Sequence, residues 1–155
     1  MKEFDIVSHI KVYAWDELSP DDRQLVQLAK DSTQRSYAPY SHFQVGAALR
    51  TVGGHIVTGC NQENPATPSS LCAERVALFT AGVQYPDEAV ESIAIAAYTQ
   101  GSFTPQPVPP CGACRQVMSA VSQRYRHPLR ILLYGGSGIY AVDDIEALLP
   151  LQFEL

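Results

Sequence analysis

The fold of this chain is indicated most strongly by two short stretches, Cys72-Ala73-Glu74-Arg75 and Pro110-Cys111-Gly112-Ala113-Cys114. Each stands where a loop leads into the start of a predicted helix. Free backbone N–H groups and the positive end of the helix dipole lower the pKa of a thiol there and favour the thiolate, which binds metal. The Cys-x-x-Cys of one helix presents two sulfurs to one point, and Cys72 adds a third. We therefore predict that Cys72, Cys111 and Cys114 bind one zinc ion.

A zinc ion with three protein ligands keeps a fourth position open for water, which is typical of a catalytic site. Glu74 lies two residues after Cys72 and is predicted to reach that position without binding the metal. A carboxylate there can take a proton from zinc-activated water and return it to the substrate. Arg75 is expected to hydrogen-bond to the cysteine sulfurs and offset the negative charge of three thiolates. The three cysteines, Glu74 and Arg75 together predict hydrolytic chemistry.

A Cys-x-x-Cys has two other common uses, in redox proteins and in structural zinc sites. A redox function leaves Glu74 unexplained and lacks a convincing βαβ context. A closed structural site needs a fourth ligand, and Cys60 follows an apolar strand, where a cysteine is usually a small buried residue. The four histidines, at positions 9, 42, 55 and 127, have no paired metal-binding spacing. Catalytic zinc is therefore favoured.

Helical and strand patterns alternate along the chain, which is typical of an α/β domain layered around one mixed sheet. The stretch Ser19-Pro20-Asp21-Asp22 predicts a helix start, and Asp143 is predicted to cap a last short helix. Residues 4–14 alternate loosely and predict an additional edge strand. The predicted helices cover residues 20–37, 71–81, 111–125 and 143–149, and the five main strands cover 43–50, 56–61, 90–98, 129–134 and 139–142.

Composition narrows the class of partner. The chain has 155 residues and a net charge of −5, and its lysines and arginines are scattered. Proteins that bind DNA or RNA normally carry a basic stripe, so we expect no nucleic acid polymer as partner. No apolar run approaches the ~20 residues that span a bilayer, and acidic residues interrupt the N-terminus where a signal peptide is apolar. A small neutral ligand and a cytoplasmic location are expected.

Several motifs in a fixed order carry a resemblance to a known family. Cys-x-Glu followed by Pro-Cys-x-x-Cys is the signature of zinc deaminases. The sequence as a whole resembles the small, homotetrameric zinc cytidine deaminases of nucleoside salvage. The resemblance implies a single three-layer α/β/α domain over residues 1–155, with an N-terminal extension over 1–18, one zinc ion per subunit and a homotetramer. Besides the two cysteine stretches, it rests on Ser36-Tyr37-Ala38-Pro39-Tyr40-Ser41-His42-Phe43, on Gly59-Cys60-Asn61-Gln62-Glu63-Asn64 and on Leu149-Pro150-Leu151-Gln152-Phe153.

The resemblance also implies substrate-binding roles. Phe43 is expected to pack against the pyrimidine, Asn61 and Glu63 to hydrogen-bond to ribose hydroxyls, and the backbone around Ala73 and Pro110 to contact the base. Without the resemblance, Phe43 would be taken as a core aromatic residue and the two polar residues as turn residues. The implied reaction is hydrolysis of cytidine and deoxycytidine to uridine and deoxyuridine with release of ammonia, Glu74 carrying the proton.

Some features depart from the family pattern or leave two interpretations open. Thr67 stands where an aromatic residue commonly follows, and the proline-rich loop 101–110 is longer than usual. Both features motivate an alternative substrate, a modified nucleoside or a cytosine-containing antibiotic. Phe153 is expected either to reach the active site of a neighbouring subunit or to pack on its own domain.

Overall fold

One mixed sheet of seven strands organises residues 1–153, which a computed structural model describes. The strand order is β1-β7-β6-β4-β2-β3, with β5 paired to β4. Within this sheet β4 and β6 run parallel and the other pairs are antiparallel. The predicted count of about five main strands is too low by two: the additional edge strand predicted over residues 4–14 forms only over three residues, as β1, and β5 was not predicted. The strands are β1 (Lys11–Tyr13), β2 (Gln44–Thr51), β3 (Ile56–Cys60), β4 (Val90–Thr99), β5 (Ser102–Phe103), β6 (Arg130–Gly135) and β7 (Gly138–Val142).

Three α-helices accompany the sheet: α1 (Pro20–Ser32), α2 (Ala73–Gln84) and α3 (Gly112–Tyr125). Ser19 caps α1 as predicted, since its hydroxyl accepts a hydrogen bond from the backbone of Asp22. The predicted extension of α1 to Tyr37 is wrong. The hydroxyls of Ser32 and Thr33 donate to carbonyls one turn back, a competition that weakens helix continuation. No helix among the described residues has the length and apolar character needed to cross a bilayer.

The predicted last helix over 143–149 is also wrong, because the chain forms only a 3-10 turn at Ile145–Ala147 there. Asp144 caps this turn, and its carboxylate accepts hydrogen bonds from the backbone N–H groups of Ile145 and Leu129. The predicted cap, Asp143, instead binds the Lys11 ammonium at 2.7 Å and tethers β1 to the end of β7.

The sheet lies between two helical layers, and β4 shows how the sequence divides them. Ile93 and Ile95 pack into the core on the side of α2 and α3, whereas Ala94 and Ala96 face the core under α1. This alternation follows from the two-residue period of a strand. A central strand buried on both faces appears in the sequence as a continuous apolar run. The predicted three-layer α/β/α architecture is confirmed.

The close packing of α2 against β3 fixes the position of the first cysteine stretch. Gly59 on β3 has no side chain, and a Cβ there would lie 2.5 Å from the carbonyl oxygen of Ala73. The first turn of α2 therefore rests directly on the strand. Cys72 precedes that turn, so its position relative to the sheet is set by backbone packing.

The proline-rich loop between β5 and α3 is fastened to the β6–β7 turn. The backbone N–H groups of Gly136 and Ser137 donate to the carbonyls of Thr104 and Pro105 at 3.0 and 2.9 Å. A Cβ at Gly135 would lie 2.4 Å from the nitrogen of Pro107, so the contact requires glycine. The loop thus reaches Cys111 along a fixed path.

Candidate active site

Three cysteine thiols converge where α2 and α3 begin. Cys72 and Cys111 occupy the N-cap positions of the two helices, and neither uses its side chain to cap. Cys114 follows in the first turn of α3. The three sulfurs lie within 4.8 Å of one another, and the Sγ atoms of Cys72 and Cys111 are 3.9 Å apart. Cys114 is fully buried and Cys111 is exposed, so the cluster extends from the core to the protein surface.

The pKa values of the cysteine thiols indicate which kind of metal ion the cluster can bind. A hydrogen bond from the Cys114 thiol lowers the pKa of Cys72 to about 5, with further help from Arg75 and Cys111, although burial opposes the shift. The same hydrogen bond, together with burial, raises the pKa of Cys114. The cluster thus ionises once with ease and resists further negative charge unless a cation compensates it. A soft dication that prefers sulfur ligands, such as Zn²⁺, matches this donor set.

Arg75 supplies positive charge to the same cluster. Its Nη2 atom donates to the Sγ atom of Cys72 at 3.6 Å and to the carbonyl of Ser70 at 3.4 Å. The Cys72 thiolate raises the pKa of the Arg75 guanidinium, against the effect of burial. The contact expected between Arg75 and a cysteine sulfur is therefore present.

Glu74 is the buried carboxylate beside the sulfurs. Its side chain is only 4% exposed, yet it contributes to the wall of the main cavity. Burial raises the pKa of Glu74 to about 6, and the negative charge of Cys72 acts in the same direction. A carboxylate held in this way is a good proton acceptor near neutral pH.

A cavity of about 900 Å³ opens next to Glu74. It brings together most of the predicted site, from both halves of the sequence. Ala73 and Pro110 are buried next to the two cysteines that face this cavity. Phe153 lies elsewhere: it is 65% exposed, and its carbonyl accepts a hydrogen bond from Gln123 on α3. The predicted residues on the cavity wall are Phe43, Asn61, Glu63, Cys72, Glu74, Arg75 and Cys111.

The comparison with known families decides the identity of this site. Residues 19–125 match the family model described as the cytidine and deoxycytidylate deaminase zinc-binding region. The chain belongs to this family. It is therefore a zinc-dependent hydrolytic deaminase, and the cysteine cluster is the one group within residues 1–153 whose geometry suits the metal.

Individual relatives agree with this assignment. A cytidine deaminase of Halalkalibacterium halodurans is 44% identical over 99 residues, which cover 64% of this chain and 70% of the relative. The crystal structure of a cytidine deaminase from Burkholderia pseudomallei superposes with a TM-score of 0.72 at 37% identity, covering 88% of this chain and all of the other. A blasticidin-S deaminase of Bacillus cereus is 28% identical over 150 residues, covering 88% of this chain and 94% of the relative.

The carboxylate of Glu63 is held at the outer part of the deaminase cavity by residues that the sequence did not single out. Its Oε2 atom accepts hydrogen bonds from the backbone of Tyr40 at 2.8 Å and Ser41 at 3.2 Å, and the Ser41 hydroxyl donates to Oε1. The Ser41 hydroxyl, followed by these N–H groups, lowers the pKa of Glu63. The carboxylate is therefore ionised and oriented. The only sequence signal for Ser41 was its place in the stretch that carries the family resemblance.

The side chain of Asn61 is an internal brace. Its Oδ1 atom accepts hydrogen bonds from the Val45 backbone at 2.8 Å and from the Ser36 hydroxyl, and its Nδ2 atom donates to the carbonyl of Phe43 at 2.9 Å. These bonds tie the end of β3 to the start of β2 and fix the backbone of Phe43. An amide nitrogen carries two protons, so the bond to Phe43 does not use up its donor capacity.

Arg115 was also missed by sequence reasoning. Its Nε atom donates to the carbonyl of Pro110 at 2.9 Å, and its Nη1 atom donates to the carbonyl of Leu148 at 2.7 Å. The guanidinium thus fixes the peptide before Cys111 to the turn that leads into the C-terminal segment. Its position directly after Cys114 was a signal, but the carbonyls it binds are set by tertiary structure.

Thr67 and the longer proline-rich loop 101–110, the two departures from the family pattern, both contribute to the cavity wall. Thr67 begins a 3-10 turn on the cavity wall, and Tyr40 contributes an aromatic ring to the same lining. Val108 and Pro109 bring the proline-rich loop to the cavity. The site therefore has a small residue at one point of its mouth and a fixed apolar loop at another.

Proposed function

We propose that this deaminase hydrolyses cytidine and deoxycytidine to uridine and deoxyuridine with release of ammonia, and that Cys72, Cys111 and Cys114 hold its zinc ion. The observation that carries the proposal is the buried carboxylate of Glu74, set against three thiols on the wall of a cavity that can admit a nucleoside. When bound, zinc supplies Lewis acidity and lowers the pKa of water to about 7. Relatives named cytidine deaminase support the choice of substrate.

Glu74 moves the protons in this reaction. Its carboxylate accepts a proton from water as a C–O bond forms at C4 of the base, and delivers that proton to N3. Glu74 then takes the proton of the new C4 hydroxyl and passes it to the exocyclic amine, the C4–N bond breaks, ammonia leaves, and the ring keeps a carbonyl at C4. The net change is one water consumed and one ammonia released. Burial suits Glu74 to the task because it raises the pKa of the carboxyl to about 6.

The nucleoside is bound along the cavity by groups matched to its parts. Phe43 offers an aromatic face to the planar base, and backbone groups around Ala73 and Pro110 contact its edge. Asn61 and the ionised Glu63 provide a donor and an acceptor for sugar hydroxyls. Because Ser41 and Asn61 brace these groups beforehand, little ordering is left for the substrate to impose.

Purified protein loaded with zinc should convert cytidine to uridine, which is followed directly by the change in ultraviolet absorbance. Equal amounts of uridine and ammonia are expected. The proposal would be overturned if fully zinc-loaded protein deaminated neither cytidine nor deoxycytidine.

Glu63→Gln should raise KM for cytidine about 10- to 100-fold with little change in kcat, because hydrogen bonds to a charged group are the stronger ones. The measurement is steady-state kinetics with cytidine and with 3′-deoxycytidine. If Glu63 binds the 3′-hydroxyl, the variant and the wild type differ much less with the substrate that lacks it. An equal loss with both substrates would exclude a contact between Glu63 and the 3′-hydroxyl.

Arg75→Ala should lower kcat by about 10- to 100-fold, the usual range for residues that support metal ligands. The guanidinium donates to the Cys72 sulfur, so its loss leaves more negative charge on the cluster and makes a bound metal a weaker Lewis acid. Arg75→Lys keeps the charge and should recover part of the activity. The measurements are kcat, zinc content and Tm. Unchanged kcat in the alanine variant would rule out this role.

A second candidate substrate is a cytosine-containing antibiotic such as blasticidin S. Its support is the Bacillus cereus blasticidin-S deaminase, whose similarity extends over 88% of this chain. The cavity of about 900 Å³ lies near the upper end of the range for drug-sized ligands, and Thr67 leaves its mouth uncrowded. Values of kcat/KM for blasticidin S and cytidine, measured on one preparation, decide between the two.

We also infer that the chain is one deaminase domain preceded by an extension over residues 1–18, and that it assembles as a cytoplasmic homotetramer. The resemblance described above supports this, as do the exposed apolar side chains of Phe79 and Val83 on α2, 49% and 82% exposed. In such an assembly Phe153 would contact a neighbouring active site. Light scattering of the purified protein measures the mass, and a monomer would contradict the assembly.

A further inference from the structure

Three aromatic rings surround the ammonium group of Lys30, in the last turn of α1. The ammonium nitrogen lies 4.4 Å from the ring centre of Tyr134, 5.0 Å from that of Phe103 and 5.4 Å from that of Trp15. The rings of Phe103 and Tyr134 also meet edge to face, with centres 5.6 Å apart. A cation within about 6 Å of a ring centre is attracted by the negative face of the ring. These four side chains form the Lys30 cage, which joins α1 to three other parts of the fold.

Two of the rings stand directly beside the contacts that hold the proline-rich loop. Phe103 ends β5, and the carbonyls of the next two residues accept the hydrogen bonds from the β6–β7 turn. Tyr134 precedes Gly135, whose backbone lies against Pro107. The Lys30 cage thus joins two chain segments next to the point where they are fastened to each other.

From this point the proline-rich loop runs to the cysteine cluster. Residues 104–111 form neither helix nor strand, so their path depends on contacts with other elements. Val108 and Pro109 line the cavity, and Cys111 follows at the N-cap of α3. The side chains that the loop brings to the site are therefore held from its start, where the cage lies.

The third ring belongs to the segment that precedes the family match. Trp15 lies in the short 3-10 turn after β1, whereas the match to the deaminase family begins at residue 19. β1 itself pairs with β7, where Tyr13 lies opposite Ile139 near the β6–β7 turn. This segment thus contacts the support of the loop twice, through the sheet and through the cage.

We propose that Lys30 is a positioning residue for the deaminase site, and that Trp15 completes its cage so that the segment before the family match supports the proline-rich loop. The inference rests on the proposed role of Cys111 as a zinc ligand. Loss of the ammonium charge should let the loop and the β6–β7 turn separate more often, and Val108 and Cys111 would then be held less firmly.

Lys30→Met tests the cage directly, because methionine keeps the apolar reach of the side chain and carries no charge. Exchange of the Gly136 and Ser137 amide protons, which bond to the loop carbonyls, should become about 3- to 30-fold faster, the factor that corresponds to a cation–π contact. Lys30→Arg keeps a cation and should restore slow exchange. Trp15→Leu should also speed the exchange, and should add little in the Lys30→Met background because both changes remove one interaction.

The effect on the site is measured in zinc-loaded protein. Lys30→Met should release zinc to a chelator several-fold faster than wild type, and should raise KM for cytidine several-fold with a smaller change in kcat. Arg50→Met is the matched control, since Arg50 also joins α1 to the sheet, through the Asp21 carbonyl and the Gln24 side chain at the other end of the helix. It should leave amide exchange in the β6–β7 turn, zinc release and KM as in the wild type, whatever its effect on Tm.

The proposal would be overturned by wild-type amide exchange in Lys30→Met. It would also be overturned by faster exchange with zinc release and KM unchanged, since the cage would then stabilise the fold without positioning the site. Equal effects of Lys30→Met and Arg50→Met would count against it in the same way. An error in the proposed ligand set would show separately, as zinc retained by Cys111→Ser.

Discussion

Glu74→Gln is expected to lower kcat about 100- to 10,000-fold while zinc content and fold stay as in the wild type. The range is the usual contribution of a positioned general acid or base. Glutamine has nearly the same shape, so it fills the buried position, but its amide cannot accept and return a proton. Since burial disfavours the charged form of Glu74, a neutral amide should leave the Tm unchanged or raise it. Loss of activity without loss of stability is typical of residues kept for function.

The experiment needs three measurements on each variant: kcat with cytidine, zinc per chain and Tm. Glu91→Gln is the matched control, because Glu91 is an exposed carboxylate on β4 and is not part of the cavity wall. It should retain wild-type kcat. If Glu74→Gln turned over cytidine at a rate near that of the wild type with full zinc content, Glu74 would not be the proton carrier.

The clustering of the three cysteines beside Glu74 could be predicted from sequence because it depends on spacing along the chain. Cys111 and Cys114 share one helical turn, and Cys72 and Glu74 share another, so few arrangements are open to them. What the spacing could not give was the distance between the two turns. That distance follows from the parallel pairing of β4 with β6 and from the contact of Gly59 with Ala73, which join residues far apart in sequence.

Ser41 and Arg115, which hold site residues in position, could not be recognised from the sequence. Arg115 binds backbone carbonyls, those of Pro110 and Leu148, and Ser41 binds Glu63 through its backbone N–H as well as its hydroxyl. Any sequence can provide a carbonyl or an N–H, so no residue type marks the partner. Sequence reasoning brought forward side chains with reactive groups and missed residues that hold the site in position.

Errors in the fold came from short elements. β5 has only two residues, too few for a two-residue period to be recognised, and the edge strand predicted over residues 4–14 forms only over the three residues of β1. The last turn was assigned to the wrong cap because Asp143 and Asp144 are adjacent and equally suited by type. The choice depends on Leu129, whose backbone N–H reaches Asp144, and on Lys11, which binds Asp143. Both partners come from distant parts of the chain.

Cys114→Ser should remove zinc and activity together. A serine hydroxyl is a poor zinc ligand beside a thiolate, so we expect zinc to fall from about one per chain to near zero and deamination to become undetectable. Cys114 is fully buried, and a serine hydroxyl there is more polar and lies farther from the Cys72 sulfur, so the weakened hydrogen bond should lower the free energy of unfolding by about 1–3 kcal/mol. Zinc that binds only the folded chain also stabilises it, so the measured loss should be larger in zinc-containing buffer than with a chelator.

Two further cysteine variants separate the metal from the packing. Cys111→Ser should lose the same zinc and activity with a smaller loss of stability in chelator, because Cys111 is exposed. Cys60→Ser should keep zinc and activity, since Cys60 lies outside the cluster and bonds to the Arg35 carbonyl, which a hydroxyl can also do. Metal analysis, kcat and denaturant unfolding with and without chelator provide the readouts. Full zinc and activity in Cys114→Ser, or zinc loss in Cys60→Ser, would mean that the ligand set has been assigned wrongly.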